Sequence, residues 1–213
     1  MIRVPSGKFL VAASLLLVTA RGDNESITCG SLAKLTHVES NFLLHSHEIS
    51  YGSGSKQQSV TAIESHDDQG NLWLVKEAYG LEACQTGEPI SCGSMIRLEH
   101  ALSERNLHTH TVQSPLSLQQ EVSCFERQEE GDVNDNWKVL CERPNERYWM
   151  RGSPVRFQSD ATGAVLHSHS QHRFDERNCP RCPIVGQQEV TAFTEENEQN
   201  LWVSTEVILF KAD

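Results

Sequence analysis

Leu44-His45-Ser46-His47 recurs as Leu107-His108-Thr109-His110 and again as Leu166-His167-Ser168-His169. Each copy sits among the same neighbours in the same order. Upstream lie Gly30-Ser31-Leu32-Ala33-Lys34-Leu35, Gly93-Ser94-Met95-Ile96-Arg97-Leu98 and Gly152-Ser153-Pro154-Val155-Arg156-Phe157. Downstream, paired glutamines lead short runs: Gln57-Gln58-Ser59-Val60-Thr61-Ala62, Gln119-Gln120-Glu121-Val122-Ser123-Cys124 and Gln187-Gln188-Glu189-Val190-Thr191-Ala192. Each unit closes on a tryptophan, in Asn71-Leu72-Trp73, Asp135-Asn136-Trp137 and Asn200-Leu201-Trp202, and these tryptophans are 64 and 65 residues apart. Four ordered anchors recurring three times define an internal repeat.

Each unit holds about four β-like runs rich in Val, Leu, Ile and aromatics, separated by Gly, Ser, Asn and Asp clusters. No window of eleven or more residues carries a convincing 3.6-residue apolar period, so helices are expected to be few. Three units of four runs predict about twelve strands. A lone unit leaves strand edges and one apolar face unburied, so the three must close on one another. The expectation is an all-β, pseudo-threefold β-trefoil, a barrel capped by hairpins. A three-bladed propeller is the poorer solution, since propellers typically have four or more blades.

Before the first repeat, Arg3 and Lys8 precede the apolar run Phe9 to Val18, and Val18-Thr19-Ala20 has the small residues of a cleavage site. Residues 1–20 therefore read as a signal peptide, too short to be a membrane span. Its loss leaves 193 residues and takes the net charge from −11 to −13. No later run is apolar enough to cross a bilayer, and the acidic field argues against nucleic acid and anionic lipid as partners. The expected division is a short N-terminal segment (21–27), one domain over 28–208 with repeats near 28–84, 90–145 and 146–208, and a tail (209–213). Asn24-Glu25-Ser26 is a glycosylation sequon just past the cleavage site, with Asn24 the acceptor.

The Gly-Ser opening, Leu-His-Ser-His strand, Gln-Gln-x-Val strand and Asn-x-Trp closure resemble MIR motifs, found in protein O-mannosyltransferases and in inositol-trisphosphate and ryanodine receptors. The run Leu43 to His47 with Tyr51-Gly52-Ser53-Gly54-Ser55, and Arg105 to His108 with Ser114-Pro115-Leu116-Ser117 and Gly131-Asp132, resembles the stromal cell-derived factor 2 family more closely. That resemblance runs from about Thr28 to Val207. It implies a protein-binding role in endoplasmic-reticulum quality control, with a luminal J-domain co-chaperone and misfolded client proteins as partners. Its MIR component implies a rival reading in which glycans are bound. The chain ends Leu209-Phe210-Lys211-Ala212-Asp213, without the reticulum-retention ending many relatives have, so residence through a retained partner is expected, with secretion the alternative.

Seven cysteines in an exported chain imply disulfides. Cys29 and Cys84 flank repeat one, and Cys92 and Cys141 flank repeat two. Closure of each repeat brings its ends together, and the family resemblance includes these four positions. Cys29–Cys84 and Cys92–Cys141 are therefore expected, although four cysteines allow three pairings. Cys179-Pro180-Arg181-Cys182 departs from the family and lies in a polar loop longer than its counterparts in the two sister repeats. A local staple is favoured there over thiol exchange or a zinc site with His172. Cys124 replaces the alanines of its sister repeats and reads as a small buried hydrophobe.

In a strand, both imidazoles of each His-x-His pair share a face. Three pairs invite a zinc or copper reading, but symmetry distributes them around the molecule, and no metal or other cofactor is expected. The tryptophans read as core plugs. No triad order, nucleophile elbow or nucleotide loop stands out, so no catalytic residue is assigned and the chain is not expected to be an enzyme. The candidate binding residues lie on the loops around Tyr51, Ser114 to Ser117 and Arg173 to Arg181, with Tyr51, Arg173 and Arg177 foremost.

Overall fold

The recurring short runs pair into one continuous antiparallel sheet, in a computed structural model that describes residues 25–127 and 131–210. The signal-peptide reading of 1–20, the sequon at Asn24 and the last three residues lie outside the described residues. Repeat one supplies β1 (Leu32–Ala33), β2 (Thr36–His37), β3 (Leu43–Ser50), β4 (Gln58–Ile63) and β5 (Trp73–Glu77). Repeat two supplies β6 (Met95–His100), β7 (Arg105–Gln113), β8 (Gln120–Arg127) and β9 (Trp137–Cys141). Repeat three supplies β10 (Pro154–Ser159), β11 (Val165–Arg173), β12 (Gln188–Phe193) and β13 (Trp202–Val203), and β14 (Val207–Ile208) follows.

The strands number fourteen among the described residues, against the twelve expected, for two reasons. The first strand of repeat one is split at Lys34-Leu35, because its halves have different partners: β1 pairs with β5 and β14, whereas β2 pairs with β13 and β3. The returning C-terminal segment adds β14, and Lys34 N donates to Glu206 O at 3.0 Å beside it. One-turn 3-10 helices at Gln69–Asn71, Val133–Asp135 and Glu198–Asn200 precede the three tryptophans, and no helix among the described residues is long and apolar enough to cross a membrane.

The split strand β1/β2 pairs onward to β5, β6, β9, β10 and β13, and β13 returns to β2, so the ring closes and its strands have no free edge. The hairpins β3–β4, β7–β8 and β11–β12 stand on this ring. Their second strands pair cyclically: Gln58 opposite Cys124, Gln120 opposite Ala192, and Gln188 opposite Ala62. Trp73, Trp137 and Trp202 fill the interior with no exposed surface, and Trp149, at the start of repeat three, packs edge-on against Phe157. Cys124 is buried opposite Leu107, as Ala62 is opposite Leu44 and Ala192 opposite Leu166. Burial pushes its thiol up to about 12, so it stays protonated.

The hairpins are tied to the ring by the repeated motifs themselves. Trp73 Nε1 donates to Leu44 O at 3.0 Å, Trp137 Nε1 to Leu107 O at 2.8 Å, and Trp202 Nε1 to Leu166 O at 3.1 Å. The next residue of each hairpin strand binds the side chain two positions before the tryptophan. His45 Nδ1 lies 3.0 Å from Asn71 Oδ1, His108 Nδ1 2.8 Å from Asp135 Oδ1, and Asn200 Nδ2 donates to His167 Nδ1 at 3.2 Å. The Ser or Thr that follows donates across the hairpin, from Ser46 to Ser59 O, from Thr109 to Glu121 O and from Ser168 to Glu189 O. His37 and His100 complete the arrangement by reaching the 3-10 turns through Gln199 O and Gly70 O.

Two consequences can be measured. Trp137→Ala removes a fully buried plug and one clamp bond, and should cost about 3–5 kcal/mol in urea unfolding, whereas exposed Leu102→Ala should stay within about 0.5 kcal/mol. Equal effects of the two would contradict the placement of the core. Burial lowers the pKa of His37, His45 and His47 below that of a free imidazole, that of His100 and His169 to about 4, and that of His167 to about 3. Between those lowered values and about 6.5 these imidazoles bind fewer protons in the folded chain than in the unfolded one, so stability falls as pH drops through that interval towards about 4. Thermal unfolding should shift downward between about pH 7.5 and pH 5, at about 2–4 °C for each kcal/mol lost. A midpoint that holds or rises over that interval would contradict the buried neutral histidines.

Candidate functional site

Three loops leave the far ends of the hairpins, and each begins alike. Tyr51 N donates to Gln57 O at 2.9 Å, Ser114 N to Gln119 O at 2.8 Å, and Phe174 N to Gln187 O at 3.0 Å. The first glutamine of each pair then accepts from a hydroxyl on the next repeat. Ser123 donates to Gln57 at 2.5 Å, Thr191 to Gln119 at 2.5 Å, and Thr61 to Gln187. This hydroxyl–amide ring explains why both the paired glutamines and the Ser/Thr four residues later recur. It also draws the three loops to one end of the molecule.

There the symmetry breaks. Glu121, buried on β8, holds loop one through Ser55 N and Oγ and also meets His110 Nε2 at 3.2 Å. Glu189, buried on β12, holds loop two by accepting from Leu116 N at 2.7 Å and Ser117 N at 3.0 Å. The corresponding position on β4 is Ser59, which donates to Ile49 O at 2.8 Å, so β4 supplies no carboxylate to loop three. Loop three is instead braced from within. Cys179 is bonded to Cys182, Cys179 N donates to Asp175 O at 2.8 Å, and Asp175 Oδ1 accepts from Arg177 N and Asn178 N. Arg181 adopts φ 59° within this turn.

Between loop three and loops one and two lies a cleft of about 490 Å³, walled mainly by apolar groups from Ile49, Leu116, Phe174, Pro180 and Ile184. Tyr51 forms its floor. Its ring packs with Phe174 and Ile184, and its hydroxyl sits 2.8 Å from Val60 O and 3.1 Å from Val122 O. Burial, with Glu121 nearby, raises the hydroxyl well above its usual pKa, so it remains a neutral donor.

The loops singled out from sequence thus meet at one site, but the three foremost residues play different parts. Tyr51 is 5% exposed, and only as the base of the cleft. Arg173 stacks over the Phe42 ring at 4.6 Å, and Arg177 pairs with Asp175 at 2.8 Å; neither lines the cleft. The Tyr51 to Lys56 loop is pinned by Glu121 through Ser55. Phe174, Ile184, Glu121 and Glu189 were missed. The glutamates had a signal, since Gln-Gln-Glu-Val occurs in repeats two and three and Gln-Gln-Ser-Val in repeat one. Away from the cleft, Cys29 is bonded to Cys84 and Cys92 to Cys141, with Cα separations of 6.2 and 5.6 Å. The histidine pairs stay apart. Among the described residues, no group of potential metal ligands combines histidines of different repeats.

Comparison with known proteins places this geometry. The MIR domain family matches residues 39–204. Human stromal cell-derived factor 2 is 43% identical over 185 residues, covering 87% of this chain and 82% of that protein. The crystal structure of the SDF2-like protein from Arabidopsis thaliana superposes with a TM-score of 0.81 at 36% identity, covering 88% of this chain and 98% of that one. The S. cerevisiae protein O-mannosyltransferase Pmt1-Pmt2 complex bound to the sugar donor matches with a TM-score of 0.76 at 28% identity, over 88% of this chain and 26% of that one. A threefold MIR chain, related to these proteins over most of its length, belongs to the stromal cell-derived factor 2 family.

Proposed function

We propose that this chain is a non-catalytic β-trefoil binding module of the endoplasmic-reticulum lumen. It assists a J-domain co-chaperone and its heat-shock chaperone partner in protein quality control. The trefoil reading is supported by the closed strand ring carrying a lid of three cyclically paired hairpins. The oxidising compartment is supported by three disulfides in a chain that otherwise keeps one buried thiol. The non-catalytic reading is supported by relatives named as factors and by the engagement of Glu121 and Glu189 in holding loops.

The observation that carries the binding role is the apolar cleft assembled from all three repeats. Rigid strands position its walls, while its lining differs between repeats, which is how a symmetric scaffold acquires one distinctive face. Exposed backbone and apolar side chains of an unfolded client, or an extended segment of a co-chaperone, suit such a cleft better than a charged ligand does.

A second reading is favoured by the match to the O-mannosyltransferase complex, which is bound to its sugar donor. Under it, the chain binds glycans on clients. A pull-down from microsomes with the mature chain separates the two. Co-purification of a J-domain protein that survives glycosidase treatment is the expected result. Elution of the captured proteins by mannosides would overturn it in favour of the glycan reading.

A further inference from the structure

The second histidine of each Leu-His-Ser/Thr-His strand lies outside the clamp, and its surroundings differ between repeats. His47 has both ring nitrogens buried without a partner, and Ser59 rather than a carboxylate occupies the matching place on β4. His110 meets one carboxylate oxygen, from Glu121 at 3.2 Å. His169 meets two potential ligands. β11 slips register between Ser168 and Arg173, and His172 turns back so that its ring stands edge-on to His169, with centroids 4.0 Å apart. Its Nδ1 lies 2.5 Å from His169 Nε2 and 3.1 Å from His169 Nδ1. One donor atom each from His169, His172 and Glu189 falls within 4.8 Å of the others.

We propose that His169, His172 and Glu189 form a binding site for one zinc-type divalent cation. Two imidazoles and one carboxylate are a common protein set for Zn²⁺, with the fourth position left to water. His169 is 7% exposed and Glu189 1%, while His172 is half-buried and gives the ion a route from solvent. The carboxylate is already oriented by Leu116 N and Ser117 N, which leaves lone pairs on its oxygens, as second-shell donors do for metal-ligating carboxylates. Two imidazole nitrogens facing each other must otherwise share a single proton, and a cation satisfies both lone pairs at once. The ion would tie β11 to β12 and, through Glu189, to loop two, fixing one wall of the cleft. This inference is independent of which partner the cleft receives.

The test uses the mature chain after chelator treatment, titrated with zinc chloride by calorimetry and weighed intact by native mass spectrometry. One zinc per chain is expected. His172→Ala should weaken binding roughly tenfold or more, with the thermal midpoint in chelator unchanged, whereas His110→Ala should leave zinc affinity as it was. Cobalt(II) in the unmutated chain should develop the strong visible bands of a four-coordinate site, a readout independent of any variant's folding. No stoichiometric zinc, equal affinity in His172→Ala, or a cobalt spectrum like that of the aqueous ion would each overturn the proposal, leaving a hydrogen-bonded histidine pair only.

Discussion

The structure depends on a buried clamp made three times. A leucine carbonyl on a hairpin strand accepts from a tryptophan indole on a ring strand, and the histidine beside that leucine binds the Asn or Asp two residues before the tryptophan. Every side chain in it is at most 4% exposed, so breaking any one bond strands a polar group away from water. The clamp also resolves a conflict in the sequence. Histidine and asparagine are poor core residues singly, and together they are satisfied. The indole N–H, which a tryptophan cannot leave unpaired at low cost, finds its acceptor in the same dipeptide.

Above the clamp, the glutamine–hydroxyl ring makes each repeat depend on the next, so the hairpins form one lid instead of three separate ribbons. Symmetry gives that lid stability but no distinctive face. The face comes from one substitution of carboxylate by hydroxyl. With Ser59 where the sister repeats have Glu121 and Glu189, loop three has no anchor beneath it. Its extra length and its own disulfide replace the anchor, and the cleft opens beside it. The same third repeat carries His172, so the asymmetric corner of the lid gathers the cleft, the cysteine staple and the three-donor cluster.

Much of the ring and lid was legible in the sequence, because the decisive information is repetition. Four anchors in fixed order imply equivalent strands, and tryptophans ending each unit imply a shared core. The splitting of the first strand was hidden, since it follows from the return of Val207 and Ile208 to pair with Ala33 and Leu32. The candidate site was legible only as three loops. Alternation tells which face a side chain takes but not what stands opposite, so the reach of Glu121 and Glu189 into a neighbouring repeat's loop could not be read. For the same reason Tyr51, in a glycine- and serine-rich stretch that suggests exposure, turns out to be a buried floor. The histidine pairs invited one shared metal centre, and three separate environments are what the fold provides.

The clamp couples each hairpin to the ring. The most direct test is a double-mutant cycle on His108 and Asp135, the 2.8 Å pair, using His108→Ala, Asp135→Ala and the double variant in equilibrium unfolding near neutral pH. The double variant should lose less than the sum of the singles, with a coupling of about 1.5–3 kcal/mol, as for hydrogen bonds to a charged group. Effects that add to within about 0.5 kcal/mol would contradict it, because the two residues would then stabilise the fold independently.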